Sequence, residues 1–267
     1  MRARPLNVGA AHEHAPTLQN ANELQQAYDH FNAALFAGEL PVCLITLQRQ
    51  ANCHGYFSPT RFAHRGGGYT DEIAMNPEYF ANFPMIETLQ TLVHEMAHLW
   101  QFHFGQPGRR AYHNREWATR MEAIGLMPSS TGKPGGAKTG ERMADYPIAG
   151  GPFVAACKEL FTRDFRISWY DRFPSHRGAP IAANEELERE LGVSLTAEMP
   201  AVSEHLNGGG VQMLRPRRNT RSKYACPDCG VQVWGKPGLN LSCGDCGDPF
   251  HEVMPAEGAP ASESGRD

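Results

Sequence analysis

Two histidines and a glutamate define the first site. The stretch Thr91-Leu92-Val93-His94-Glu95-Met96-Ala97-His98-Leu99-Trp100 contains the pattern HExxH. On a helix, side chains four residues apart project only about 40° from one another, so His94 and His98 can bind a single Zn²⁺. Zinc lowers the pKa of water toward about 7 and polarises a carbonyl. Glu95, on the flank of the ligand face, can take the water proton and later pass it to a leaving amine. This is the chemistry of peptide hydrolysis. A catalytic zinc keeps one position open and takes three protein ligands. His103, Glu116 and His113 are the candidates for the third. His113 fits best by spacing, because it lies past the turn at Gly105–Arg110 and opens the next helix. An oxyanion donor is also needed; Tyr69, Tyr112 and Tyr146 are available, and nothing in the sequence chooses among them.

A second group of metal-type residues lies near the other end. Cys226-Pro-Asp-Cys229 and Cys243-Gly-Asp-Cys246 are separated by thirteen residues. Between them come Val231-Gln232-Val233-Trp234 and the turn Gly235-Lys236-Pro237-Gly238. Two CxxC knuckles joined by a hairpin make a closed Cys₄ zinc site, which is structural because no position is left open. Two zinc ions are therefore expected, one catalytic and one structural. Just before this module stand Arg215, Arg217, Arg218, Arg221 and Lys223, with Trp234 nearby. Phosphate neutralisation plus base stacking is how a small module holds a single strand of nucleic acid. A solvated linker with incidental charge accounts for the same arginines equally well.

These residues need elements to hold them. Pro84 to Phe104 reads as the strongest helix, stopped by Gly105 and Pro107. At about 100° per residue, Leu89, Leu92, Val93, Met96, Leu99 and Trp100 share one arc, and His94 and His98 fall opposite its centre. The same phase puts His103 inside the apolar arc, packed or capping the helix end rather than ligating. Asn114 is a good N-cap for a following helix that stops at Gly125, with Trp117, Met121 and Ile124 on its apolar face. Upstream, Leu24, Ala27, Tyr28, Phe31 and Leu35 recur at helical spacing over 17–37. Val42 to Leu47 reads as a strand, His54 to Phe57 as a second closed by Ser58-Pro59, and Asp71 to Met75 as a short third. Residues 128–151 read as a long loop, 152–162 as a helix, 166–172 as a short strand and 184–191 as a short helix.

The stretch 24–126 resembles the SprT-like family of zinc peptidase domains, to which eukaryotic Spartan is related. The likeness rests on the His-Glu-Met-Ala-His helix and on His113-Asn-Arg-Glu-Trp, fifteen residues after His98. It implies His113 as third ligand and Glu95 as general base, and it continues more loosely into the Cys₄ region. It also implies nucleic acid as a partner for the basic segment. Nothing transfers onto 130–220.

The expected fold is α+β: a zincin-like domain with a small sheet and an HExxH helix, plus a C-terminal zinc β-ribbon. The expected organisation is a disordered 1–16, a peptidase domain over 17–174 with 129–174 as a loop-rich extension, a polar and basic linker over 175–223, the ribbon at 224–254, and a disordered tail at 255–267. A hydrophobic fraction of 41% and a charged fraction of 20% suit a globular core. A net charge of −4 and a pI near 6.3 exclude a chain that coats nucleic acid by overall charge. No apolar run reaches the roughly 18 residues of a membrane span, and 1–16 has no export-type apolar core. With cysteines paired for metal, a reducing cytoplasm is expected. The expected partners are a protein or peptide substrate and single-stranded DNA or DNA–protein complexes. The competing reading is a nucleic-acid-binding regulatory protein with little or no peptidase activity. Retention of Glu95 favours the enzyme.

Overall fold

The computed structural model describes residues 15–81, 83–163, 165–171, 185–192 and 222–253. The chain divides into two compact units, Met1–Gly209 and Gly210–Asp267. Together they form a mixed α+β structure with small sheets.

In the first unit, α1 (Pro16–Phe36) buries Leu24, Ala27, Tyr28, Phe31, Leu35 and Phe36. It ends at Ala37, which adopts a left-handed conformation at φ 56°. Strand β1 (Leu44–Leu47) runs parallel to β3 (Tyr69–Met75), and β3 pairs antiparallel with β2 (Gly55–Ala63). The order β1-β3-β2 leaves β2 at an edge. The sequence closes β2 at Ser58-Pro59, whereas the strand continues through Pro59 to Ala63. An edge strand tolerates a missing amide. The register shifts between Ser58 and Phe62, and Thr60, at φ 47°, donates its amide to the Asp71 carboxylate at 2.7 Å. A bulge stabilised by a buried aspartate thus carries the strand past its proline.

Helix α2 (Met85–Phe104) lies against this sheet and buries Ile86, Leu89, Leu92, Val93, Met96 and Leu99. Contact between α2 and β2 depends on Gly55. A Cβ there would sit 2.9 Å from Thr91 Cγ2 and 3.0 Å from the Ala74 carbonyl oxygen. Helix α3 (Arg115–Ala123) starts where Asn114 accepts the Trp117 amide through its side chain at 3.0 Å. Gly125 follows at φ +90°, with the Phe153 amide nitrogen 2.7 Å from where a Cβ would stand, so any other residue would clash as well as strain.

The segment 128–151 is not a plain loop. Strand β4 (Leu126–Ser129) pairs antiparallel with β5 (Ala144–Pro147), from Leu126 opposite Pro147 to Ser129 opposite Ala144. Strands of four residues are too short for an alternation to be read. Helix α4 (Pro152–Phe161) returns to α1, where Phe153 stacks on Phe31 at 5.8 Å. The stretch expected as a strand near 166–172 has no regular structure over 165–171. It is held instead by side chains: the Glu23 carboxylate accepts the Ser168 amide at 2.8 Å, and Gln19 Oε1 accepts Trp169 Nε1 at 3.0 Å. A short helix α5 (Glu185–Leu191) follows. The remaining linker residues, the N-terminal residues to 14 and the tail from 254 lie outside the described residues.

In the second unit β6 (Ser222–Ala225) is central, between β7 (Gln232–Gly235) and β8 (His251–Val253). Tyr224 is its buried centre; its hydroxyl donates to the Lys236 carbonyl at 2.6 Å and accepts the Leu239 amide at 3.0 Å. Among the described residues, no helix is long and apolar enough to cross a membrane.

Candidate active site

Helix α2 presents His94 and His98 to the side away from its apolar face, and the turn into α3 brings His113 alongside. The ligand-type atoms of the three lie within 4.8 Å of one another. Their ring centroids are 5.2 Å (His94–His98), 5.4 Å (His94–His113) and 4.7 Å (His98–His113) apart. Beneath them lies Trp117, fully buried, with its ring stacked on His98 at 5.2 Å and edge-on to His94 and His113 at 4.9 and 4.5 Å. The indole is a platform that limits how far any of the three rings can swing.

Two of the rings are also tied from behind. His94 Nδ1 donates to Asp145 Oδ2 at 2.7 Å, and His113 Nδ1 donates to the Gly140 carbonyl at 3.1 Å. Gly140 and His113 further exchange backbone hydrogen bonds of 2.8 and 3.1 Å. Each bond spends the Nδ1 proton and leaves Nε2 as a lone pair, which is how a histidine is set for a metal. Burial, joined by the neighbouring histidines, pushes His98 well below the ordinary imidazole value. Burial and His94 bring His113 down to about 4. Burial alone would lower His94 too, but the Asp145 hydrogen bond and the charges of Glu95 and Asp145 outweigh it and raise the group. Three converging imidazoles, His94 and His113 with Nδ1 engaged and His98 and His113 resistant to protonation, suit Zn²⁺, for which a tetrahedral site wants nitrogens about 3.4 Å apart.

Glu95 is buried beside the histidines, and burial raises its carboxyl to about 7, with Asp145 adding to the rise. The charge of His94 and a hydrogen bond from the Phe57 backbone oppose the rise. The alternative ligands lie elsewhere. Glu116 accepts Gln101 Nε2 at 2.8 Å and the Gln106 amide at 2.7 Å. His103 Nε2 is 2.7 Å from Asp71 Oδ2, on the sheet side of α2, with a third of its side chain exposed. It is paired rather than packed. Of the candidate oxyanion donors, Tyr69 is 77% exposed at the far end of the β2–β3 hairpin, and Tyr112 lies under the Arg109 guanidinium at 5.1 Å. Tyr146 adjoins Asp145 on β5 and is half-buried.

Asp145 and Gly140 carry no signal in the sequence, because they belong to the segment read as a loop. Asp145 is fixed by Gln90, whose Nε2 donates to the Asp145 carbonyl at 2.8 Å. The β4–β5 hairpin is therefore part of the site. Asp145→Asn is expected to weaken zinc at the histidine site by roughly 10–100-fold, since an amide holds the imidazole without the charge that makes it a better donor. His103→Ala, measured in the same chelator competition, is expected to leave zinc affinity at the wild-type value. Equal affinities in Asp145→Asn and wild type would remove Asp145 from the site.

In the second unit the four cysteine sulfurs also lie within 4.8 Å of one another, with Cys229 Sγ and Cys243 Sγ at 3.6 Å. A tetrahedral zinc thiolate site wants sulfurs about 3.8 Å apart. The two knuckles repeat one pattern. The Cys226 and Cys243 amides donate to the Val231 and Asp248 carbonyls at 2.9 and 2.8 Å, and Gly230 and Gly247 close the turns at φ 72° and 79°. The backbone amides of Cys246 and Asp245 hold the Cys243 thiol down at about 7. Trp234 is 62% exposed and stands opposite Lys223 across the β6–β7 pair. Arg215, Arg217, Arg218 and Arg221 lie outside the described residues.

Residues 24–134 match the SprT-like family. Over 59 residues the chain is 58% identical to the "uncharacterized protein in mucB 3′ region" of Salmonella typhimurium, a match covering 22% of this chain and 80% of that protein. No solved structure matches.

Proposed function

Because the chain belongs to the SprT-like family, whose members carry a zinc-dependent peptidase-like domain, we propose that it hydrolyses peptide bonds at the His94–His98–His113 site. The observation that carries this reading is the convergence of the three imidazoles within 4.8 Å beside the buried Glu95 carboxylate. A zinc ion held by His94, His98 and His113 supplies the acidity that makes water a nucleophile near neutral pH. Glu95 accepts the proton of the attacking water. The same carboxyl then delivers it to the leaving amine, which must therefore lie on the Glu95 side of the site. Asp145, Gly140 and Trp117 keep the three rings in place throughout, so no side chain has to reorganise as charge develops.

The ribbon is proposed to recruit this activity to single-stranded DNA or to proteins attached to it. The support is the exposed Trp234 beside Lys223, an aromatic and a cation on one small sheet, next in sequence to four arginines. Metal-type use of its paired cysteines fits a reducing cytoplasm. One experiment tests both parts. The zinc-loaded protein is given the same polypeptide free and joined to a DNA oligonucleotide. Chelator should stop both cleavages and zinc restore them, and Trp234→Ala should slow only the DNA-joined substrate. No cleavage of either, with DNA still bound, would leave a regulatory nucleic-acid-binding protein as the correct reading.

A further inference from the structure

The face of α2 that carries His94 and His98 is chemically lopsided. At about 100° per residue, Glu87, Thr91, His94, Glu95, His98 and Phe102 share one arc of about 100° on the helix. Toward the N-terminal end of that arc the groups are polar: Glu87 is held up at about 7 by burial and by the neighbouring Asp145. Toward the C-terminal end, one turn past His98, comes Phe102, and across from it on the edge strand comes Phe57. Their rings are 6.0 Å apart and tilted by 55°. Phe102 is 38% exposed on the face of α2 that carries His94 and His98, and Phe57 is only partly buried. Phe57 also lies directly against the catalytic base, since its backbone hydrogen-bonds the Glu95 carboxyl. Two residues earlier, Gly55 leaves no side chain between β2 and Glu95; a Cβ there would stand 3.4 Å from Glu95 Cγ.

Resting on the peptidase reading, we propose that Phe57 and Phe102 form the pocket for the side chain on the amine side of the scissile bond, so that this protein cleaves before large apolar residues. The direction follows from the proton path. Glu95 must reach the leaving nitrogen, so the residue that owns this nitrogen lies beside Glu95. The apolar surface next to Glu95 is the Phe57–Phe102 pair, and the polar groups Glu87 and Asp145 lie on the His94 side, toward the N-terminal end of α2. A phenylalanine or leucine side chain entering there removes its own apolar surface and that of Phe102 from water, whereas serine or aspartate gains nothing. Discrimination by such a pocket is typically on the order of tenfold or more in kcat/KM.

Two measurements decide it, one of which needs no turnover. Zinc-loaded Glu95→Gln protein is titrated with a blocked glycine tetrapeptide carrying one phenylalanine and with its serine counterpart. The phenylalanine peptide should bind roughly tenfold tighter, and Phe102→Ser in the same background should shrink that ratio to about twofold. In parallel, wild-type protein digests a random peptide mixture and the new N-termini are sequenced. Phenylalanine, leucine, isoleucine and methionine should lead them about tenfold over serine; Phe102→Ser should flatten the distribution, and Phe102→Leu should restore an aliphatic preference. Cleavage without apolar enrichment, or the same enrichment in Phe102→Ser, overturns the pocket and leaves the peptidase standing. Selective binding that Phe102→Ser abolishes, with no cleavage by wild type, upholds the pocket and sinks the peptidase. Phe102 is exposed in the last turn of its helix, so neither variant disturbs the core.

Discussion

Glu95→Gln is expected to reduce peptide hydrolysis by on the order of 10²- to 10⁴-fold while zinc at the histidine site stays near its wild-type content. Gln keeps the shape and can still accept the Phe57 backbone hydrogen bond, but it cannot take a proton from water. The carboxyl of Glu95 sits at about 7 without metal, because burial disfavours its charge. A dication beside it favours the carboxylate and moves it down. Hydrolysis needs the ionised form, so the rate should rise with pH along a limb lying below about 7, and the residual rate of Glu95→Gln should lack that limb. A second readout needs no activity. A carboxyl whose folded pKa is raised stabilises the fold below its unfolded value near 4.5, and that contribution is lost as pH rises through about 7. Metal-free Glu95→Gln should therefore have a higher Tm than metal-free wild type at pH 8, with the gap closing by pH 5. Wild-type hydrolysis rates in Glu95→Gln would falsify the assignment of the base.

The parts of this site that sequence reveals are those governed by local geometry. His94 and His98 share a helical face because they are four apart, and the apolar arc of Leu89, Leu92, Val93, Met96 and Leu99 shows that this face is turned away from the core. The N-cap at Asn114 locates the turn that returns His113. What stays hidden depends on long-range placement. Asp145 is 51 residues from His94 and Gly140 is 27 from His113. Asp145 sits on a strand of four residues and Gly140 in the connection that precedes it, rich in glycine, serine and proline, where neither periodicity nor composition marks a sheet. Trp117 is legible as an apolar helix face but not as the platform under three imidazoles, since this requires knowing which helix it meets. The opposite error occurs at 165–171, where aromatic and β-branched residues read as a strand. That backbone is satisfied piecemeal instead, the Ser168 amide by the Glu23 carboxylate and the Asp171 amide by the Pro77 carbonyl.

Removing one ribbon cysteine should have the largest structural effect of any single change. Among the described residues of the second unit only Tyr224, Cys226 and Cys243 are buried. Its strands are three or four residues long. So few buried side chains cannot offset the chain entropy of ordering residues 222–253. The missing stabilisation has to come from metal, and a structural zinc site supplies on the order of 10–16 kcal/mol at neutral pH. Cys226→Ser is therefore expected to unfold β6, β7 and β8 together, seen as collapse of their amide shifts and loss of the near-ultraviolet signal of Tyr224 and Trp234. Zinc content should fall from two ions to one. The histidine site belongs to the other compact unit, so the remaining ion should stay chelator-sensitive and hydrolysis of a free peptide should continue, while any affinity for single-stranded DNA disappears. Dispersed ribbon signals in Cys226→Ser, with one zinc ion per chain in both variant and wild type, would mean that the four sulfurs meet without a metal and that the unit is ordered without one.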